Sequence, residues 1–249
     1  MVESRRVVLN RFIGLAPNSR GGGLLKTPIV IVNFKTYPQS VGERAVELAK
    51  TIASVAKEKG ISVAVAPQNL DLYRVASQID IPVLAQHIDS VTPGAHTGWL
   101  LAETAKETGA VGSLINHSEH QLQSEEIEQV VRRLRELGLT SVVCARDPEV
   151  CKRVAAFEPD MVAVEPPELI GSGQAVSKVK PEVVSDAVKL VREVNPGVRV
   201  LCGAGVTTGE DVRIALELGA EGVLLASSVV KASDPRAAML DIAKGITSK

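Results

Sequence analysis

A glutamate and two prolines follow a short apolar stretch in the second half of the chain. Residues 161–164 are typical of a buried strand, and Glu165 comes directly after them. The prolines at 166 and 167 stiffen the exit, because each fixes φ and lacks an amide donor. The small residues at 171–173 allow backbone N–H groups to approach an anion closely. This order predicts a general base followed by a lid over residues 166–175; the alternative is a surface turn that carries a glutamate.

Two polar side chains end the first apolar stretch, residues 28–32. Asn33 and Lys35 are two positions apart, so on a strand they share a face, while Phe34 packs on the other side. A lysine that faces inward at a strand end is costly unless it meets an anion. The alternative for Lys35 is a surface lysine whose ammonium group reaches solvent.

A histidine follows another apolar stretch, residues 111–115. His117 comes after Asn116 and directly before a helical turn. The positive end of a helix dipole favours the neutral imidazole, which can donate a hydrogen bond. An isolated histidine in such a place is more often a structural residue, so its role depends on its neighbours.

Small residues follow the last two apolar stretches. Gly203 and Gly205 come after residues 198–201, and Ala226 and Ser227 after residues 221–225. Small residues in these loops expose backbone amides where parallel barrels commonly hold phosphate.

Strands and helices alternate from residue 27 onward, and the strands are predicted to deliver these side chains to one edge. The alternation means a parallel sheet, and eight repeats favour an α/β fold of the (β/α)8 TIM-barrel type, with a closed sheet of eight parallel strands. The strands are predicted at residues 28–32, 61–66, 82–85, 111–115, 140–144, 161–164, 198–201 and 221–225. The helices are predicted at residues 41–59, 70–77, 101–108, 124–138, 148–156, 181–193, 209–218 and 234–244.

Composition agrees with a single barrel domain and argues against a protein that binds nucleic acid or a membrane surface. The chain has 249 residues, 45% of them hydrophobic, and a net charge of −1, which suits one domain of roughly 250 residues. The charge balance gives no sign of nucleic acid or of a membrane surface, and only 2% of the residues are aromatic. The three cysteines have no metal-binding spacing and indicate reduced thiols in an intracellular protein.

Residues 1–26 differ from the rest of the chain. Four arginines punctuate short apolar runs, and three glycines at 21–23 break any regular structure. We expect an N-terminal extension, disordered or dispensable, before a single catalytic domain over residues 27–249. A transit peptide is a weaker alternative, and a secretory signal is disfavoured because Asn10 and Arg11 interrupt the apolar run.

Five motifs taken together resemble the triosephosphate isomerase family, in the short form typical of archaeal enzymes. Asn116 stands where many members carry Gly, and Pro167-Glu168 where many carry Val-Trp; both departures fit the archaeal form. The similarity spans about residues 27–249. The motifs are Asn33-Phe34-Lys35, Asn116-His117-Ser118-Glu119, the stretch 165–173, Gly203-Ala204-Gly205 and Ala226-Ser227.

The resemblance implies an enzyme of glycolysis and gluconeogenesis that interconverts dihydroxyacetone phosphate and D-glyceraldehyde 3-phosphate. This family is itself the standard example of a glutamate base paired with a neutral histidine, and it implies no metal or cofactor. The implied catalytic residues are Glu165, His117, Lys35 and Asn33. The implied substrate and phosphate contacts are Asn33, Phe34, Lys35, Ile170, Gly171, Gly203, Gly205, Ala226 and Ser227.

The resemblance also implies a cytoplasmic protein and a homo-oligomer. The long connection at 87–98 carries apolar residues and resembles the family's third loop, which reaches a neighbouring subunit. We expect a tetramer rather than a dimer, because several predicted helices are short and leave apolar barrel surface. Two other functions remain open at this point: another phosphate-binding barrel enzyme such as a sugar-phosphate epimerase, and a non-catalytic barrel that binds phosphosugars.

Overall fold

Eight parallel strands form the centre of the structure, a computed structural model that describes residues 25–171 and 173–247. The sheet order is β2-β1-β8-β7-β6-β5-β4-β3 once the strands are numbered along the chain. They are β1 Ile29–Asn33, β2 Ser62–Ala66, β3 Leu84–Ala85, β4 Gly112–Ile115, β5 Thr140–Ala145, β6 Met161–Val164, β7 Arg199–Cys202 and β8 Gly222–Leu225.

The sheet closes between its two end strands. Val65 of β2 bridges Val83 in parallel, and the Val65 N–H donates to the carbonyl of Pro82 at 3.1 Å. This contact completes a barrel and confirms the predicted (β/α)8 fold. The third strand is shorter than predicted, since Pro82 has no N–H with which to extend the ladder.

Ten α-helices, counted over the described residues, surround the barrel. Two of them, Val176–Val179 and Ser227–Val230, were not predicted, because four residues are too few to show a helical periodicity. The helices are α1 Glu43–Lys59, α2 Leu72–Ala76, α3 Ala102–Glu107, α4 Ser124–Glu136, α5 Pro148–Ala155, α6 Val176–Val179, α7 Pro181–Val194, α8 Gly209–Glu217, α9 Ser227–Val230 and α10 Pro235–Thr247.

Side chains on the strands alternate between two apolar layers, as the pleat of a strand requires. Ile29 and Ile31 of β1 point into the barrel, whereas Val30 and Val32 pack outward against the helices. Within the described part of the chain, no helix is long and apolar enough to cross a membrane.

A glycine that would normally end a helix lies inside α10. A side chain on Gly245 would approach the carbonyl oxygen of Gly209, the first residue of α8, to 2.1 Å. Close contact between the two helices therefore needs the glycine, and α10 continues beyond the predicted end at residue 244.

Leu25 lies in the inner core of the barrel, although the sequence assigns it to the N-terminal extension. Its side chain is buried with that core, and its carbonyl accepts a hydrogen bond from Arg199 Nη1 at 2.8 Å. Leu25 is thus part of the barrel, while the rest of the predicted extension up to residue 24 lies outside the described residues.

Leu25→Ala should lower the free energy of unfolding by about 2–4 kcal/mol, because it leaves a cavity in the inner core. Urea unfolding followed by circular dichroism measures the change. Leu70→Ala is the matched control, since Leu70 is 92% exposed and its truncation should change stability by less than about 0.5 kcal/mol. Equal stability of the two variants would contradict the placement of Leu25.

Candidate active site

One pocket at the carboxyl end of the barrel brings together most of the predicted site residues. Strand β1 ends in Asn33, β6 is followed directly by Glu165, and His117 comes two residues after β4. The pocket is lined by Asn33, Lys35, Tyr37, His117, Glu165, Ile170, Gly171, Gly173, Ala204, Gly205, Val206, Thr207, Leu224, Leu225, Ala226 and Ser227.

Glu165 is a buried carboxylate with spare hydrogen-bonding capacity. Its side chain is buried, and its Oε2 atom has no hydrogen-bond partner among the described residues. Its backbone N–H donates to the carbonyl of Ala145 at 2.8 Å, which fixes the residue at the strand end. Burial raises the pKa of Glu165 above the ordinary value for glutamate, although His117, Cys144 and Lys35 partly oppose the shift.

His117 faces Glu165 with a defined tautomer. The backbone N–H of Glu119 donates to His117 Nδ1 at 3.1 Å, so the neutral ring carries its proton on Nε2. Nε2 lies 3.8 Å from Glu165 Oε2, which is too long for a hydrogen bond. Because the two atoms are not bonded to each other, both are available to a substrate, Nε2 of His117 as proton donor and Oε2 of Glu165 as base.

Lys35 is held in a left-handed backbone conformation, with φ 48°. Its N–H donates to Asn33 Oδ1 at 2.9 Å, and its carbonyl accepts from Gln86 Nε2 at 3.0 Å. These bonds offset a conformation that is unfavourable for a residue other than glycine. Lys35 Nζ lies 2.7 Å from Glu119 Oε1, so the same turn that sets the His117 tautomer also holds the ammonium group at the pocket.

Two of the predicted substrate contacts lie elsewhere. The Phe34 side chain is fully buried in the layer between barrel and helices, because it alternates with Asn33 and Lys35 on the strand end. Gly203 lies against the base: a Cβ atom there would approach Glu165 Cγ to 2.3 Å. Gly203 is therefore placed to make room for Glu165. Neither Phe34 nor Gly203 lines the pocket.

Described residues of the predicted lid line the pocket. Ile170, Gly171 and Gly173 line the cavity from above. On the far side of the lid, Val176 N–H donates to the carbonyl of Ala204 at 3.3 Å. A side chain on Gly205 would reach to 1.9 Å from the carbonyl oxygen of Gln174, so glycine is needed where lid and loop meet.

Several supporting residues were not identified from the sequence as parts of the site. Tyr37 and Thr207 line the pocket, and Gln86 holds the carbonyls of Lys35 and Ala66. Only their positions after the ends of strands could have indicated these residues in the sequence. In the described ranges, no group of three or more His, Cys, Asp or Glu side chains is arranged to hold a metal ion.

Comparison with known proteins identifies the family of the chain. The family model for triosephosphate isomerase matches residues 28–246. The chain is 56% identical over 219 residues to triosephosphate isomerase of Methanothermobacter thermautotrophicus, covering 88% of this chain and 96% of that protein. It is 52% identical to the enzyme of Methanosarcina acetivorans (87% and 97% covered) and 50% identical to that of Methanocaldococcus jannaschii (88% and 100% covered).

Proposed function

Because the chain belongs to the triosephosphate isomerase family, we propose that Glu165 and His117 carry out the proton transfers of its reaction. The protein is an isomerase that interconverts dihydroxyacetone phosphate and D-glyceraldehyde 3-phosphate. The observation that carries the assignment is the pair of facing atoms, a buried unpartnered Oε2 on Glu165 and a proton-bearing Nε2 on His117, 3.8 Å apart.

Glu165 acts as the base in this proposal. It removes a proton from the carbon next to the carbonyl and returns it to the neighbouring carbon, so it ends the cycle ionised. His117 donates its Nε2 proton to the carbonyl oxygen and recovers one from the adjacent hydroxyl. Burial favours this chemistry, because a base whose pKa is raised towards the working pH takes a proton more readily.

Lys35 and the small-residue loops bind the charged parts of the substrate. Lys35 supplies the positive charge for the phosphate and the developing enediolate, and Asn33 fixes the turn that presents it. Backbone groups near Ile170, Gly171, Gly205, Ala226 and Ser227 surround the phosphate end of the pocket. Closure of the lid excludes water, which protects the enediolate from loss of phosphate.

The activity should fall as the pH drops through the pKa of Glu165, since only the ionised carboxylate can accept the proton. Burial raises the pKa of Glu165 above the ordinary value for glutamate, so the acid limb of kcat/KM should lie above that ordinary value. A profile of kcat/KM against pH, corrected for the ionisation of the free triose phosphate, measures the limb, because kcat/KM reports the free enzyme and the free substrate. An acid limb at or below the ordinary glutamate pKa would contradict the assignment.

A coupled assay with D-glyceraldehyde 3-phosphate and no added metal tests the proposed reaction as a whole. Turnover without metal supports proton transfer by side chains alone. Turnover that requires an added metal would contradict that mechanism.

We further propose a homo-oligomer, with a tetramer favoured over a dimer, in the cytoplasm. The connection between β3 and α3 carries Trp99, which is 52% exposed in the isolated chain. The three cysteines are free and buried, as suits a reducing compartment. A monomer in light scattering at micromolar concentration would contradict the oligomer.

The barrel is proposed to be the whole catalytic domain, with residues 1–24 dispensable. A protein that begins at Leu25 keeps the buried leucine and should retain kcat, KM and assembly. A change in any of these in the truncated protein would contradict the proposal.

A further inference from the structure

Asp211 joins a loop that borders the pocket to the short helix that follows the lid. It lies in the first turn of α8, and its side chain is almost completely buried. One segment is the loop 203–208, whose residues Gly205 and Thr207 line the pocket. The other is α6, the short helix that follows the lid.

The two carboxylate oxygens of Asp211 divide these contacts between them. Oδ2 accepts hydrogen bonds from the N–H groups of Thr207 and Thr208, both at 2.9 Å, and from Thr207 Oγ1 at 3.0 Å. Oδ1 pairs with Lys178 Nζ of α6 at 2.6 Å. The bonds to Oδ2 cap the first turn of α8. The ion pair through Oδ1 is not needed for this cap, and it ties α8 to α6.

Two further hydrogen bonds hold α6, the helix after the lid, against α8 and the loop 203–208. Ser177 Oγ donates to the Asp211 carbonyl at 3.1 Å, and Val176 N–H reaches the carbonyl of Ala204. Ala204 and Gly205 are both left-handed, with φ 60° and 72°. That conformation is unfavourable for Ala204, which is not a glycine, and the contacts with Val176 and around Asp211 support the loop that contains it.

Asp211 stays charged over the working pH range. Burial would raise its pKa, but the Lys178 ammonium group and the amides of Thr207 and Thr208 outweigh it and lower the pKa to about 2. The carboxylate therefore keeps its ion pair with Lys178 at neutral pH.

We infer that Asp211 and Lys178 are positioning residues that hold the phosphate-binding loop in the geometry required by the closed lid. The inference rests on the phosphate contacts proposed above. It implies that the pair acts on the phosphate end of a substrate and has no part in the proton transfers.

Lys178→Met tests the inference, because the lysine is partly exposed and its loss leaves the cap of α8 intact. We expect kcat/KM for D-glyceraldehyde 3-phosphate to fall about tenfold, the effect of losing one hydrogen bond to a charged group. Inhibition by inorganic phosphate should weaken similarly. Turnover of unphosphorylated D-glyceraldehyde, measured by NMR, and the acid limb of the pH profile should not change.

Lys152→Met is the control for loss of a lysine charge, since Lys152 lies on α5 and is partly exposed like Lys178, and its partner is Glu193 at 3.7 Å. Asp211→Asn, which keeps the shape but removes the charge, should show the same selectivity for the phosphorylated substrate. An unchanged kcat/KM for the triose phosphate, or an equal loss with both substrates, would overturn the inference. An inactive wild-type enzyme would instead refute the proposed function.

Discussion

Replacing Glu165 by glutamine is expected to lower kcat by at least about 10³, within the range that loss of a general base produces. Glutamine has nearly the same shape but cannot accept the proton. The environment of Glu165 supports this, since its free Oε2 atom is buried and has no other described partner. Steady-state kinetics in both directions of the reaction measure the change.

Glu168→Gln is the matched control for this variant. Glu168 lies three residues further on in the lid, is exposed, and pairs with Lys180. Its replacement should leave kcat close to that of the wild type, because exposed ion pairs contribute little. A Glu165→Gln variant that keeps more than about a tenth of the activity would contradict the role of Glu165 as base.

Thermal unfolding distinguishes a catalytic loss from a folding defect. The pKa of Glu165 is raised in the folded state, so its ionisation destabilises the fold at any pH above that raised pKa. The destabilisation disappears below the unfolded-state pKa, where the carboxyl is protonated in both states. Glu165→Gln should therefore melt no lower than the wild type at pH 7.

Lys35→Ala is expected to reduce kcat/KM by about 10² or more, because the variant loses the positive charge proposed to stabilise the phosphate and the developing enediolate. Both kcat and KM should be affected, since the ammonium group is proposed to meet the phosphate and the enediolate. Lys35 is mostly buried, with its Nζ directed at the turn that carries His117 and Glu119. Initial rates over a range of triose phosphate concentrations separate the two effects.

Lys152→Met serves as the control here too, as a loss of positive charge far from the pocket. If Lys35→Ala changes neither kcat nor KM, Lys35 is a surface lysine without a role in the reaction. That was the alternative left open by the sequence.

The barrel and the central residues of the pocket could be predicted from the sequence because both depend on local order. Apolar strands mark the barrel, and polar residues directly after a strand must lie at its carboxyl edge. Glu165, His117 and Lys35 were found in this way. The strand β6 was predicted with the bounds that the structure has.

The features that were missed depend on contacts between distant parts of the chain. Nothing near Leu25 indicates that it fills the bottom of the barrel, where Arg199 holds its carbonyl across 174 positions. Gly203 is required because a side chain there would collide with Glu165. Gly245 is required because a side chain there would collide with the backbone of Gly209. Asp211 falls inside the predicted helix 209–218, and its ion pair with Lys178, 33 positions earlier in the chain, depends on the tertiary fold.

Hydrogen exchange at the reacting carbon tests the central claim most directly. Dihydroxyacetone phosphate incubated in D2O with the wild-type enzyme should take up deuterium at the carbon that loses its proton, as followed by proton NMR. The same incubation with Glu165→Gln should show uptake slower by at least about 10³. Uptake by the variant at a rate close to that of the wild type would contradict the assignment of Glu165 as the base.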